Sequence, residues 1–142
     1  MTRTAITINF PELAELVDQW RLETVEEAKN GVPPHITLLF PWVSSAISQF
    51  DIAALSRLCG QTQRFEVEFE AVRYFDRGTI YLSLKDDQDV RRLSKKIWAE
   101  YPDFPPYDGL HSDPISHLTV AEGDTGNIQD LFAEITLSLI HI

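Results

Sequence analysis

The chain of 142 residues predicts an α+β fold built from two half-repeats, on three observations. Segments that alternate apolar and polar residues, as half-buried strands do, are interleaved with segments of helical spacing. Two alternating segments flank one tight turn signal and read as a β-hairpin. A short pattern, His-x-Thr followed by an apolar residue, occurs twice, as His35-Ile36-Thr37-Leu38 and His117-Leu118-Thr119-Val120, at similar places in the two halves. This layout predicts two antiparallel sheets flanked by helices, with the two motif strands facing each other across a central cleft.

Taken in order, Thr4 to Phe10 alternates and is rich in β-branched residues, predicting a strand with one buried face. Pro11 suits a first helical turn, and Leu13, Leu16, Val17, Trp20 and Leu22 follow at helical spacing to about Ala28, where Asn30-Gly31 stops the helix. Val32-Pro33-Pro34 forces an extended approach into the strand His35 to Phe40, which Pro41 ends. Phe50 to Leu58 predicts a short helix closed by Gly60. The hairpin joins Phe65–Val72 to Ile80–Leu84 across Asp76-Arg77-Gly78. Val90, Leu93, Ile97 and Trp98 mark a third helix, and Pro102 to Pro114 reads as a loop. The second motif strand, Ser116 to Ala121, leads into a fourth helix around Ile128 to Ile135, and Leu137 to Ile142 reads as a terminal strand.

With 44% hydrophobic and 24% charged residues, the composition is that of a soluble globular protein, and residues 1–142 make one domain without linkers or low-complexity stretches. No apolar run is long enough to span a bilayer and the N-terminus lacks a signal-peptide core, so a cytoplasmic location and no membrane partner are expected. The single cysteine, Cys59, allows no internal disulfide and is read as a buried structural thiol. A net charge of −10 opposes indiscriminate binding of long nucleic acids but leaves room for a small phosphorylated ligand in a local site. Arg91-Arg92 and Lys95-Lys96 form the one basic cluster; on an amphipathic helix a solvated face is the better reading than a phosphate patch.

On an extended strand successive side chains point to opposite faces, so the His and Thr of each motif share one face and the apolar residues take the other. Two opposed imidazoles, His35 and His117, supply a base and an acid near neutral pH. The Thr37 and Thr119 hydroxyls can donate hydrogen bonds to non-bridging phosphate oxygens and stabilise charge that builds in a transition state. That combination suits hydrolysis of a phosphodiester, best of a strained 2',3'-cyclic phosphate, with no metal and no cofactor. One histidine takes the proton of the attacking water and the other protonates the leaving ribose oxygen; which does which stays open. A metal site built from His35 and His117 with His111, Asp113 or Glu122 is the weaker rival, because no closely spaced ligand pair is present. No serine sits in a nucleophile-elbow context.

The run Val32-Pro33-Pro34-His35-Ile36-Thr37-Leu38-Leu39-Phe40-Pro41-Trp42 and the run Ser116-His117-Leu118-Thr119-Val120-Ala121 resemble the paired signatures of the two-histidine (2H) phosphoesterase superfamily. The likeness is closest to its bacterial 2'-5' RNA ligase-like branch and also takes in the Phe65 to Leu84 hairpin and Tyr101 to Tyr107. The resemblance implies a bilobal fold, His35 and His117 as catalytic residues, and Thr37 and Thr119 as phosphate-binding residues. It also implies action on RNA ends, 2',3'-cyclic nucleotides or short 2'-5' linked or cyclic oligonucleotides, with reversible 2'-5' ligation as a related activity. The implied partner is a nucleotide or short RNA substrate. The alternative is a nucleotide-binding module of the same fold without turnover.

Such proteins usually continue past the position of Ile142 with further strands. The expectation is therefore homodimerisation or strand exchange through the C-terminal edge, or a natural C-terminus beyond Ile142. Phe40, Trp42 and Tyr107 are the candidate substrate-stacking aromatics; core packing competes for each, most strongly for Phe40, and Tyr81 is weighed beside them.

Overall fold

The computed structural model describes residues 4–44, 46–109, 115–124 and 126–139. Its elements are β1 (Ile6–Asn9), α1 (Ala14–Thr24), α2 (Glu26–Lys29), β2 (His35–Leu39), α3 (Gln49–Gly60), β3 (Phe69–Tyr74), β4 (Thr79–Leu84), α4 (Gln88–Glu100), β5 (His117–Glu122) and α5 (Ile128–Leu139). Mixed helix and antiparallel strand make this the α+β class. None of the described helices is long and apolar enough to cross a membrane.

The described strands form one five-stranded sheet in the order β1-β2-β5-β4-β3. The expectation of two sheets with the motif strands facing across a cleft is corrected here: β2 and β5 are hydrogen-bonded antiparallel neighbours, with Ile36 opposite Leu118. Alternation in a sequence assigns a face to each side chain but does not choose the strand beside it.

The chain folds as two compact units. The first holds Thr37–Val67 and Asp86–Ser116 with the chain up to Ile8; the second holds Asn9–Ile36, Glu68–Lys85 and the chain from His117. In the second unit β3, β4 and β5 run antiparallel, α1 packs on β5 and α5 on β3. Its core is built from Val17, Trp20, Ile36, Ile80, Leu118, Val120 and Ile135, all nearly inaccessible to solvent. In the first unit α3 lies against α4, and Leu39, Trp42, Leu58, Val90, Leu93 and Ile97 are buried.

The one long first helix expected from the sequence is broken. Val25 adopts an extended conformation (φ −108°, ψ 118°), separating α1 from α2. Val25 is buried, and the Thr24 hydroxyl donates back to the Trp20 carbonyl at 2.9 Å, a local bond that competes with helix propagation. α3 begins with a reciprocal cap in which the Asp51 amide donates to the Ser48 hydroxyl and the Ser48 amide to the Asp51 carboxylate. The hairpin ladder starts at Phe69 rather than Phe65 and runs on to Tyr74.

At the C-terminal end the terminal strand is also corrected. α5 continues through Leu137 to Leu139, since no glycine or proline interrupts the run after Ile135; residues 140–142 lie outside the described residues. Cys59 is exposed, not buried: Leu58 takes the inward position on α3 and the next residue is rotated about 100° away.

Candidate active site

Arg21 prepares the approach to the first histidine. Its side chain is 2% exposed, with Nη1 donating to Asp18 Oδ1 at 2.6 Å and Nη2 donating to the Val32 carbonyl at 2.7 Å. The next carbonyl, that of Pro33, accepts from His35 Nδ1 at 2.9 Å. A carbonyl oxygen has no proton to give, so Nδ1 carries the hydrogen and the neutral ring holds its lone pair on Nε2. The prolines before His35 thus keep the strand extended and supply the acceptor that selects the histidine's tautomer.

The register of β2 against β5 sets the remaining geometry. With Ile36 opposite Leu118, His35 lies across from Thr119, and His117 is two residues before Thr119 on the same face. His35 and His117 are then diagonal neighbours, a relation that in antiparallel pairs sets residues about 7–8 Å apart with the Cβ atoms somewhat closer. Two charge-assisted hydrogen bonds of about 2.7–2.9 Å with a phosphoryl group between them fit such a separation. Burial follows the alternation: Ile36, Leu118 and Val120 are fully enclosed, while His35, His117 and Thr119 are half-buried.

β4 completes the face. Tyr81 pairs with Thr119 and Ser83 with His117, but Ile80 pairs with Ala121, so a bulge leaves Val120 unopposed immediately after the motif threonine. The His117 ring meets two aromatic rings edge-on, Phe75 at 5.3 Å and Tyr81 at 5.5 Å, and those two stack on each other at 4.3 Å. The Arg77 guanidinium lies 4.9 Å from the Phe75 ring centre, which places a fixed cation close to this side of the face.

The turn that carries Phe75 and Arg77 is anchored by Gly78, whose φ of +109° favours glycine. A Cβ there would sit 2.3 Å from the Gly123 carbonyl oxygen. The Gly123 amide donates to the Gly78 carbonyl at 2.8 Å, tying the turn to the end of β5. Buried Thr79 donates its hydroxyl to the Glu122 carboxylate at 2.9 Å.

Thr37 follows His35 by two residues on β2, so strand alternation gives it the face of His35, and it is the first residue of the other unit in this part of the chain. Within that unit it lines a cavity of about 90 Å³ together with Phe40 and Tyr107, whose ring centres are 6.3 Å apart. Trp42 does not line it. That ring is 6% exposed and packs edge-on against Tyr101 at 5.4 Å, so the substrate contact expected of it gives way to a place in the core. Phe75 and Arg77 were missed from sequence. The turn signal was legible, but nothing local shows that the residues leading out of a hairpin strand will cover a histidine on another strand.

Of the residues named for a rival metal site, His111 and Asp113 lie outside the described residues, and Glu122 is engaged by Thr79. Among the described residues no three His, Cys, Asp or Glu side chains gather as a metal site.

A mixed fold with two His-x-Thr strands paired side by side defines a paired-histidine phosphoesterase class of protein. Comparison of the sequence with protein families agrees: the 2'-5' RNA ligase superfamily matches residues 10–139. The chain belongs to that superfamily, the two-histidine phosphoesterases, and a phosphoesterase or 2'-5' RNA ligase-like activity is general to that class. No curated protein matches the chain.

Proposed function

We propose that this chain is a phosphodiesterase that needs no metal and acts on RNA ends, 2',3'-cyclic nucleotides or short 2'-5' linked or cyclic oligonucleotides. The observation that carries the reading is the β2–β5 register, which gives one sheet face two imidazoles and a threonine hydroxyl, with the His35 tautomer selected by the Pro33 carbonyl. The tautomer favours His35 as the base. Its Nε2 lone pair takes a proton from water as the water oxygen bonds to phosphorus, the bond from phosphorus to one ribose oxygen breaks, and His117 gives that oxygen its proton. Thr37 and Thr119 donate to the non-bridging oxygens, where charge builds. Proton exchange with solvent then restores both rings.

The test is a turnover panel of 2',3'-cyclic mononucleotides, 2'-5' and 3'-5' dinucleotides and cyclic oligonucleotides, with a chelator present throughout. The expected result is selective cleavage in one of these classes, undiminished by chelator. Binding of these compounds without product would replace the enzyme with a nucleotide-binding module, and activity abolished by chelator and restored by a divalent ion would overturn the metal-free mechanism.

A further inference from the structure

A phosphodiester beside His117 has to be held against the field of the unit around it. The second unit carries five basic against thirteen acidic residues, and two of the five, Arg21 and Lys85, are paired with Asp18 and Glu68. In the proposed reaction His117 gives up its proton as the leaving bond breaks, so its positive charge fades at the stage where the phosphoryl oxygens are most negative. The Thr119 hydroxyl carries no net charge. The paired motifs therefore lack a cation that keeps its proton throughout, and a guanidinium is the side chain that does so.

Arg77 stands close to where such a cation is needed, and every residue that places it belongs to the second unit. Its guanidinium lies 4.9 Å from the centre of the Phe75 ring, and that ring meets the His117 ring at 5.3 Å. The Phe75 amide donates to the Thr79 carbonyl and the Gly78 amide to the Phe75 carbonyl, both at 2.9 Å, so the turn that carries Arg77 is closed on itself. Arg77 Nε donates to the Thr79 hydroxyl at 3.4 Å, a long bond that draws the side chain over β4. Thr79 is two residues before Tyr81, and Tyr81 pairs with Thr119, so strand alternation puts Thr79, Tyr81, Thr119 and His117 on one sheet face. A rise of about 3.4 Å per residue sets Thr79 roughly 7 Å along β4 from the residue opposite Thr119. An arginine has more donors than Nε alone, and those on Nη1 and Nη2 find no partner among the described residues. The Glu122 carboxylate accepts from the Thr79 hydroxyl at 2.9 Å, and among the described residues neither it nor Asp76 forms an ion pair with Arg77.

We propose that Arg77 is a catalytic residue that binds the reacting phosphate, its Nη nitrogens donating to a non-bridging oxygen beside His117 and Thr119 while Phe75 holds the guanidinium in place. The inference deepens the phosphodiesterase reading and rests on it for the bond that is cleaved. The bond changes are those already given, with the water oxygen joining phosphorus as the ribose oxygen leaves, and Arg77 exchanges no proton at any stage. Its charge is worth more as the oxygens become more negative, so it lowers the barrier rather than merely holding the ground state. An arginine that served only to cover Phe75 would act through that ring on His117 and would touch no phosphate oxygen. The two roles give different results when one oxygen is changed.

The test measures kcat and KM for wild type, Arg77→Met and Arg77→Lys on the best-cleaved compound of the panel above and on its Rp and Sp phosphorothioates, in which sulfur replaces one or the other non-bridging oxygen. Arg77→Met keeps the stem over Phe75 without the charge, and Arg77→Lys keeps the charge without the planar fork; thermal melts check both, and the lysine variant carries the comparison if the methionine variant is unfolded. Arg77→Met is expected to lose about 10²-fold in kcat/KM, mostly in kcat, as on removal of one donor to a developing negative oxygen, and Arg77→Lys to recover part of that loss. Wild type is expected to distinguish the two isomers by about tenfold or more, and both variants to do so by less than about threefold, since the fork no longer selects one oxygen. A fall in kcat/KM that leaves the isomer ratio unchanged and displaces the pH profile assigns Arg77 to holding Phe75 and overturns the phosphate contact. Equal kcat/KM in wild type and Arg77→Met also overturns it, and leaves the phosphodiesterase reading intact. If wild type turns nothing over, calorimetry with adenosine and adenosine 2',3'-cyclic phosphate decides the contact by itself. Binding about tenfold tighter with the phosphate in wild type, lost in Arg77→Met, keeps the contact while the catalytic reading falls. Equal binding of the two compounds in wild type removes both.

Discussion

Replacing Arg21 by methionine removes the side chain that fixes the approach to His35 while keeping most of its apolar stem. The guanidinium is 2% exposed and bonds Asp18 at 2.6 Å and the Val32 carbonyl at 2.7 Å. After Arg21→Met the Val32 carbonyl loses its donor in a part-buried place, a loss of about 1–3 kcal/mol, whereas Asp18, 29% exposed, stays solvated and adds little. About 2 kcal/mol is therefore expected, or a fall in Tm of roughly 4–8 °C for a chain of this size. Asp18→Ala makes the sharper comparison. It leaves a buried guanidinium without its counter-charge, a situation that costs about 3–5 kcal/mol in a fully buried pair and about 3 kcal/mol here, given the partial exposure of Asp18. The prediction is that removing the more exposed partner destabilises more than removing the buried one. Urea unfolding of both variants, with equal m-values as the check on two-state behaviour, reads the difference directly. A near-neutral Asp18→Ala beside a costly Arg21→Met would refute the argument from an uncompensated buried charge.

Gly78→Ala forces a side chain into left-handed backbone and against the Gly123 carbonyl, so a loss of about 2 kcal/mol or more is expected in the same unfolding assay, together with reduced turnover as Phe75 and Arg77 shift from His117. Tyr101 and Asp51 predict two limits in pH. Burial, then the hydrogen bond to Asp51, pushes the Tyr101 phenol up to about 12, so its contribution to stability is complete below the ordinary tyrosine range and is lost as pH rises toward about 12; ultraviolet titration should show one late tyrosine that is missing in Tyr101→Phe. The Ser48 amide, then the Tyr101 hydroxyl, hold the Asp51 carboxyl below the usual carboxylate range. Its contribution is present above that range and is lost as pH falls through the lowered value, and an NMR titration of Tyr101→Phe should move Asp51 back upward.

Much of the fold was legible because periodicity reports burial. Val17 and Trp20 on α1, Val90, Leu93 and Ile97 on α4, and Ile36, Leu118 and Val120 on the motif strands were read as inward-facing and are buried. The neighbours of each strand were not legible, since alternation says nothing about pairing, and so two facing sheets were expected where β2 and β5 lie side by side. The break at Val25 is not legible in the sequence because its residues have acceptable helix propensity and the extended turn depends on tertiary burial. Trp42 shows the limit for aromatics. A ring after a motif strand serves a core or a ligand equally well on paper, and here Tyr101, nearly sixty residues on, takes its face, while its buried Nε1 has no acceptor among the described residues. The four motif residues are nameable because the same pattern occurs twice, but Phe75 and Arg77 come from placement in space.

In the proposed reaction His35 and His117 act together on a phosphodiester from one face of the β2–β5 pair. Its most direct measurement is kcat/KM for a 2',3'-cyclic nucleotide across pH, followed by ³¹P NMR, in wild type, His35→Ala, His117→Ala and the double variant. The expected result is a bell-shaped wild-type profile, a loss of about 10²–10⁴-fold in each single variant, and a double variant little worse than either single one, as follows for residues that work as a unit. A single variant that retains wild-type turnover, with its profile unchanged, would contradict it.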